Sequence, residues 1–301
     1  LGDLGGLKPQ ASALRHAGHN LGMQASDSPR LTALAVLRES DPARKVLAAL
    51  SLWSACASLA SASAIDTPDW VHADLSAVAA SGAPLPGRPE RPVLVSATAV
   101  PSRSPFTTDG RAALLHAICH IEFNAINLAC DAVWRFAGMP LPYYTDWLRV
   151  AAEEASHFKL LREHLQGMGL DYGDFPAHDG LWNMCAKTAH DIVARMALVP
   201  RTLEARGLDA TPLIQDKLRR AGDLRAVEIL DTILRDEVGH VAIGNRWYHH
   251  LCQQHGLNAL TLYPELVKRF EAPRMRPPFN EAARRAAGFT DEEMAYLAGE
   301  G

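Results

Sequence analysis

Two short stretches, "AAEEASHFKL" and "RDEVGHVAIG", each place a glutamate three residues before a histidine, as Glu154 with His157 and Glu237 with His240. Three residues turn an α-helix by about 300°, so each pair projects from one face and makes a two-armed clamp for a metal ion. With 15 Glu and 13 His in the chain, random placement gives roughly 0.6 such matches. The pairs alone are therefore a modest signal. A carboxylate-bridged metal pair also needs one further acid from each of two other helices. Glu122, in "HAICHIEFNAI", and Glu204, in "VPRTLEARGLD", supply them: 32 residues separate Glu122 from Glu154 and 33 separate Glu204 from Glu237. Reading these acids as exposed helix carboxylates would have to explain why all four sit in apolar stretches, where unpaired charge is costly to bury.

Other polar residues are weighed against this set. Glu153 and Asp236 each precede a clamp, and a metal-bound histidine usually donates its second ring N–H to such a carboxylate. A solvated helix charge is the competing reading for both. His120 stands two residues before Glu122, about 200° around a helix, so His116 and His120 should face away from the site and hydrogen-bond in the core or against a neighbouring segment. On a straight helix His190 would lie about 21 Å from Glu204, too far to share an ion. His178 and Asp179 are candidates to line an access path. Arg195, Arg201 and Arg206, with Lys217, Arg219 and Arg220, are candidates for a basic mouth suited to an anion, a solvated face being the commoner explanation. Phe158, Trp134, Trp182 and Trp247 read as core.

The elements that must position the ligands follow from helical spacing and breakers. Helix one is expected from Asp109 to Ala137, stopped by Gly138 and Pro140, and helix two from Pro142 to Gly167. Helix three runs from 180 to Ala205 and ends at Gly207, a short helix follows behind Thr211-Pro212, and helix four covers 223 to 253. Pro200 should kink helix three beside Glu204. The linker "GLDYGDFPAHDG" between helices two and three, about 12 residues at roughly 3.3 Å each, can span about 40 Å and cross the length of a bundle. A four-helix bundle with one such crossover is the ferritin-like arrangement. The expected architecture is thus all-α: a poorly ordered stretch 1–28, N-terminal helices and a Pro-rich extended segment over 29–108, the bundle over 109–255, and a C-terminal helical tail over 256–301. In that tail Thr290 and Glu293 form a capping box. "RPVLVSATAV" is the one strand-like piece of the Pro-rich segment.

Bulk properties exclude several classes. The 301 residues, 48% hydrophobic, suffice for a full core, and a formal charge of −4 offers no global field for nucleic acid. Five scattered cysteines (Cys56, Cys119, Cys130, Cys185, Cys252) without a Cys-x-x-Cys argue against a disulfide framework and a thiolate zinc site, which suits a reducing cytoplasm. The signal-like run 43–64 starts too late and is too short and Ser-rich for a span, so it is expected to pack on the core, and no membrane partner is expected.

On "GRAALLHAICHIEFNAINLACDAVWRF", "AAEEASHFKLLREHL", "YGDFPAHDGLW", "VPRTLEARGLD" and "ILRDEVGHVAIGNRWY", over about residues 85 to 290, the chain resembles the ferritin-like domain-of-unknown-function family numbered 455. The wider di-iron superfamily holds ferritins, ribonucleotide reductase small subunits and a tRNA-modifying hydroxylase. The resemblance implies a bundle with two metal ions, bridged by Glu154 and Glu237 and completed by Glu122 with His157 and Glu204 with His240. The donor set suits iron, or manganese, or one of each. The leading expectation is an oxidoreductase that uses dioxygen and an external electron donor on an unidentified small molecule, with a modified nucleoside as one candidate, and with a homodimer compatible. The alternatives are a ferroxidase or other iron-handling protein without organic substrate, and a helical bundle with an empty or single-metal site that serves as a binding module.

Overall fold

The computed structural model describes residues 28–56, 68–80 and 83–299, and among them the protein is all helical, with an isolated bridge in place of any strand. The expectation for residues 1–27 and the last part of the signal-like run fall outside the described residues.

Helix α4 (Thr108–Arg135) begins where Thr107 accepts a hydrogen bond from the Gly110 amide, and it ends just before Gly138, whose φ of 74° turns the chain. Helix α5 (Leu141–Gly167) starts directly behind Pro140 and returns along α4, so the two pack antiparallel as expected. Helix α9 (Leu224–Gln254) is capped by Asp223, which accepts from the Ala226 amide. Each runs within a few residues of the stretch read from the sequence. Two N-terminal helices, α1 (Pro29–Arg38) and α2 (Pro42–Cys56), cover α4 and α5 respectively. Of the described helices, α4 alone is long and apolar enough to cross a membrane, but 78% of its apolar window is buried inside the protein, as in a core helix.

The third helix differs from expectation. The stretch is divided into α6 (Gly180–Lys187), α7 (Ile192–Leu198), a π-helical segment (Val199–Glu204) and α8 (Ala205–Arg220). The break between α6 and α7 has a local cause: Asp191 caps α7 through the Ala194 amide, and Thr188 turns its hydroxyl back onto the Met184 carbonyl. Pro200 does not simply kink the helix. Its missing N–H falls in the π segment, where the Thr202 hydroxyl donates to the Ala197 carbonyl five residues back. Gly207 does not end a helix and Pro212 does not start one, since both lie inside α8. Pro212 cannot donate to the Leu208 carbonyl, and Asn280 Nδ2 from the C-terminal tail donates there instead, at 3.1 Å.

The crossover from α5 to α6 runs under the Pro-rich segment. Ala177 donates to the Val93 carbonyl and accepts from the Val95 amide, which makes the strand-like piece a single bridge. Short helix α3 (Ser76–Ala80) precedes that segment. The tail holds two helices the sequence reading did not separate, α10 (Ala259–Arg269) and α11 (Glu281–Ala286). It ends in α12 (Asp291–Ala298), where the Thr290 and Glu293 capping box forms as read.

Candidate metal centre

The six candidate ligands come from four places: Glu122 in mid-α4, Glu154 and His157 on α5, Glu204 at the end of the π segment, and Glu237 and His240 on α9. All six are buried. Donor atoms of Glu122, Glu154, His157 and Glu237 lie within 4.8 Å of one another. His157 Nδ1 is 3.2 Å from Glu122 Oε2 and 3.3 Å from Glu154 Oε2. His240 Nδ1 is 2.9 Å from Glu154 Oε1 and 3.5 Å from Glu237 Oε1, but it is aligned for a hydrogen bond with neither, so these contacts are electrostatic. Glu204 is near enough to feel the charges of Glu237 and Glu154, and its Oε2 is buried without a partner. The two imidazoles face each other with ring centroids 5.9 Å apart.

The outer nitrogens are held crosswise. His157 Nε2, on α5, donates to Asp236 of α9 at 3.1 Å, and His240 Nε2, on α9, donates to Glu153 of α5 at 2.8 Å. The sequence reading paired each acid with a histidine in general terms and missed the exchange. The missed signal is angular: a residue one before the clamp sits about 100° back, toward the adjoining helix. With Nε2–H committed, the Nδ1 lone pair of each ring is the atom left for an ion among the glutamates.

The electrostatics are those of a site that holds protons when no cation is bound. Burial, with Glu154 nearby, pushes the Glu122 carboxyl well above the usual range, and burial with Glu237 does the same for Glu204. Glu237 is raised by burial and then by Glu154. Glu154 goes the other way: burial would raise it, but His240 and His157 outweigh that and hold it well below the ordinary value. For His157 burial opposes charge, yet its bonds to Asp236, Glu122 and Glu154 push it up to about 12. His240 is raised likewise, against burial, by Glu154 and Glu153.

A contrast inside the same protein shows what is unusual. The other two buried acids among the described residues have arginines: Asp131 binds Arg195 at 2.5 Å and Arg135 at 2.6 Å, and Glu293 binds Arg201 at 2.6 Å. Among the described residues no Lys or Arg forms an ion pair with Glu122, Glu154, Glu204 or Glu237. Four buried carboxylates without an arginine or lysine, with only two histidines among them, is an arrangement that Asp131 and Glu293 do not show.

Other sequence-derived candidates lie elsewhere. His116 accepts from the Gly173 amide and His120 contacts the Tyr172 hydroxyl at 2.8 Å, so both meet the crossover rather than the cluster. His190, at the break before α7, stands against Phe270. Asp179 is paired with Arg88, and His178 accepts from the Gly180 amide. The basic mouth is not formed: Arg195 and Arg201 are buried in the ion pairs just described, while Arg206, Lys217, Arg219 and Arg220 are exposed. Phe158, Trp134, Trp182 and Trp247 are core.

No solved structure matches the chain. An uncharacterised protein of Haemophilus influenzae is 54% identical over 216 residues, covering 69% of this chain and 75% of the relative. A family model matches residues 38–295, most of the chain, and the protein belongs to that family, described as "Protein of unknown function (DUF455)".

Proposed function

We propose that α4, α5, the α7–α8 helix with its π segment, and α9 form a ferritin-like bundle that binds two divalent metal ions, iron in the cell, for dioxygen-dependent oxidation of an organic substrate. The observation that carries this reading is the group of four buried glutamates that have no Arg or Lys partner among the described residues. Their four negative charges match two divalent ions, and hard carboxylates with two imidazole nitrogens suit iron or manganese. The orphaned Glu204 Oε2 and the unaligned His240 Nδ1 are the polar atoms such ions would satisfy.

Glu122 and His157 would hold one ion and Glu204 and His240 the other, with Glu154 and Glu237 between them. Two ferrous ions bound there supply electrons for the reduction of dioxygen. The protein's part is positional. Asp236 and Glu153 fix the tautomer and tilt of the two rings, and burial keeps bulk water from the reacting groups. Glu204 and Glu237 are 8% and 9% exposed against 0% for Glu154, so their side of the cluster is nearest to solvent and is where a substrate would approach. Hydroxylation of a small molecule, a modified nucleoside among the candidates, with an external electron donor, is the reaction class we assign. Anaerobic loading with Fe(II) followed by an oxygen pulse should give absorption and Mössbauer signatures of a coupled ferric pair. Isolated high-spin ferric ions alone, or no oxidation, would refute it.

A further inference from the structure

Helix α4 has a second polar face. At about 100° per residue, His120, Phe123, Asn124 and Asn127 lie between about 100° and 200° around the helix from Glu122. They border a pocket of about 340 Å³ closed on its other sides by Tyr172 of the crossover and by Val93 and Leu94 of the Pro-rich segment. The glutamate cluster is on the opposite side of the helix. Val93 and Leu94, 61% and 38% exposed, are apolar side chains that the protein leaves uncovered at the pocket's edge.

Both carboxamides are almost wholly buried, and the protein fixes which way each one faces. Asn124 Nδ2 donates to the His120 carbonyl at 3.0 Å, so its Oδ1 is turned the other way. Asn127 Oδ1 accepts from Lys45 Nζ; burial pulls the Lys45 pKa down to about 7, but the Leu37 and Gly87 carbonyls also surround Nζ, so its hydrogens are what it directs at Asn127 and Nδ2 is the free end. Among the described residues Asn124 Oδ1 and Asn127 Nδ2 have no hydrogen-bond partner, and they stand three residues apart on one helix face lining the pocket. Together they present one acceptor and one donor, preorganised.

Lys45, bonded to Asn127 and 4.9 Å from the Phe123 ring centroid, is a buried charge beside them, but its three bonds go to oxygens of the protein and leave none to offer a ligand. Arg88 at the rim is paired with Asp179 at 2.6 Å, Glu90 is exposed, and burial holds His120 neutral with its pKa pushed down to about 4. A ligand there meets an aromatic floor at Phe123, apolar walls, and a fixed acceptor and donor. A volume of this order is at the lower end for small-molecule sites, which suits two fused rings.

We propose that this pocket is a binding site, separate from the glutamate cluster, for an uncharged planar ligand with a lactam or carboxamide edge. Such an edge offers an N–H to Asn124 Oδ1 and a C=O to Asn127 Nδ2. The inference does not rest on the metal reading, since none of its groups belongs to the cluster.

Calorimetric titration of the full chain with quinazolinone, and with quinazoline and naphthoate for comparison, tests it. The lactam should bind at least tenfold more tightly than either comparison compound. It should bind equally well to chelator-treated protein. Asn124→Leu should weaken it at least tenfold. Val93→Trp, at an exposed position where folding is not threatened, should do the same by filling the mouth, with metal content unchanged. Absence of saturable lactam binding, equal binding of naphthoate, undiminished binding in Val93→Trp, or binding that requires metal would each overturn the proposal.

Discussion

Asp236 and Glu153 act across the helix pair, each gripping the histidine of the opposite clamp. Their loss should loosen a ring without removing a ligand. Asp236→Asn is expected to weaken metal affinity roughly 10- to 100-fold while two ions still bind at saturation; an unchanged titration curve would show the contact to be incidental. Burial raises Glu122 and Glu204, and the surrounding carboxylates raise His157 and His240 against burial, so these groups carry protons at neutral pH when no metal is bound. A cation must displace those protons, so apparent affinity should fall as pH falls and uptake should release protons. Calorimetry in two buffers of different ionisation enthalpy measures the release, and equal heats in both would contradict it. At this scale residue type and spacing picked out six residues that are all buried, four of which bring donor atoms within 4.8 Å of one another. The absence of arginines was not legible, because Arg195 and Arg201 reach Asp131 and Glu293 from distant positions and look in sequence like part of a charged surface.

The π segment sets where Glu204 stands, and one close approach holds it. A Cβ added at Gly244 of α9 would lie 2.5 Å from Pro200 Cβ, so only glycine lets α9 and the π segment meet this closely. Gly244→Ala should destabilise the fold by about 1–3 kcal/mol and weaken metal binding, because Glu204 moves with its segment. Pro200→Gly in the same chain, which removes both the Cβ and the Cγ that the new methyl would meet, should restore part of both, as read by urea unfolding and metal titration; no rescue would place the strain elsewhere. The sequence showed α4, α5 and α9 clearly, since their apolar periods are long and their caps local. It misplaced the end of the third helix because the deciding bond there is tertiary. Pro212 reads as a helix start until Asn280, 68 residues on, supplies the donor that the proline lacks.

The C-terminal tail belongs to the same folded unit as the cluster. Arg201, next to Pro200, is stacked among Tyr248, Tyr263 and Phe289 and is paired with Glu293 of α12, while Arg284 of α11 grips Asp209 of α8 at 2.7 Å. Burial would raise the Glu293 carboxyl, but His249 and Arg201 hold it down at about 2. A depressed carboxyl contributes stability that is full above its unfolded value, about 4.3, and is lost as pH falls through the folded one. Glu293→Gln should therefore lower the urea midpoint at pH 7 and flatten its fall between about pH 4 and 2, whereas an acid limb identical to wild type would deny the pair this role. That α10 and α11 pack over α7, α8 and α9 was foreseen only as a tail, because α11 is six residues long and held through Asn280 and Arg284, and α10 is held by Tyr263, whose hydroxyl meets Thr202 from a distant position.

The central claim concerns the four glutamates, and the direct measurement is anaerobic equilibrium dialysis of metal-stripped protein against Fe(II). Two ions per chain are expected in the wild type, and fewer than one in Glu154→Ala and in Glu237→Ala with helix content retained. A wild type that binds no ion, or variants that both keep two, would contradict the account.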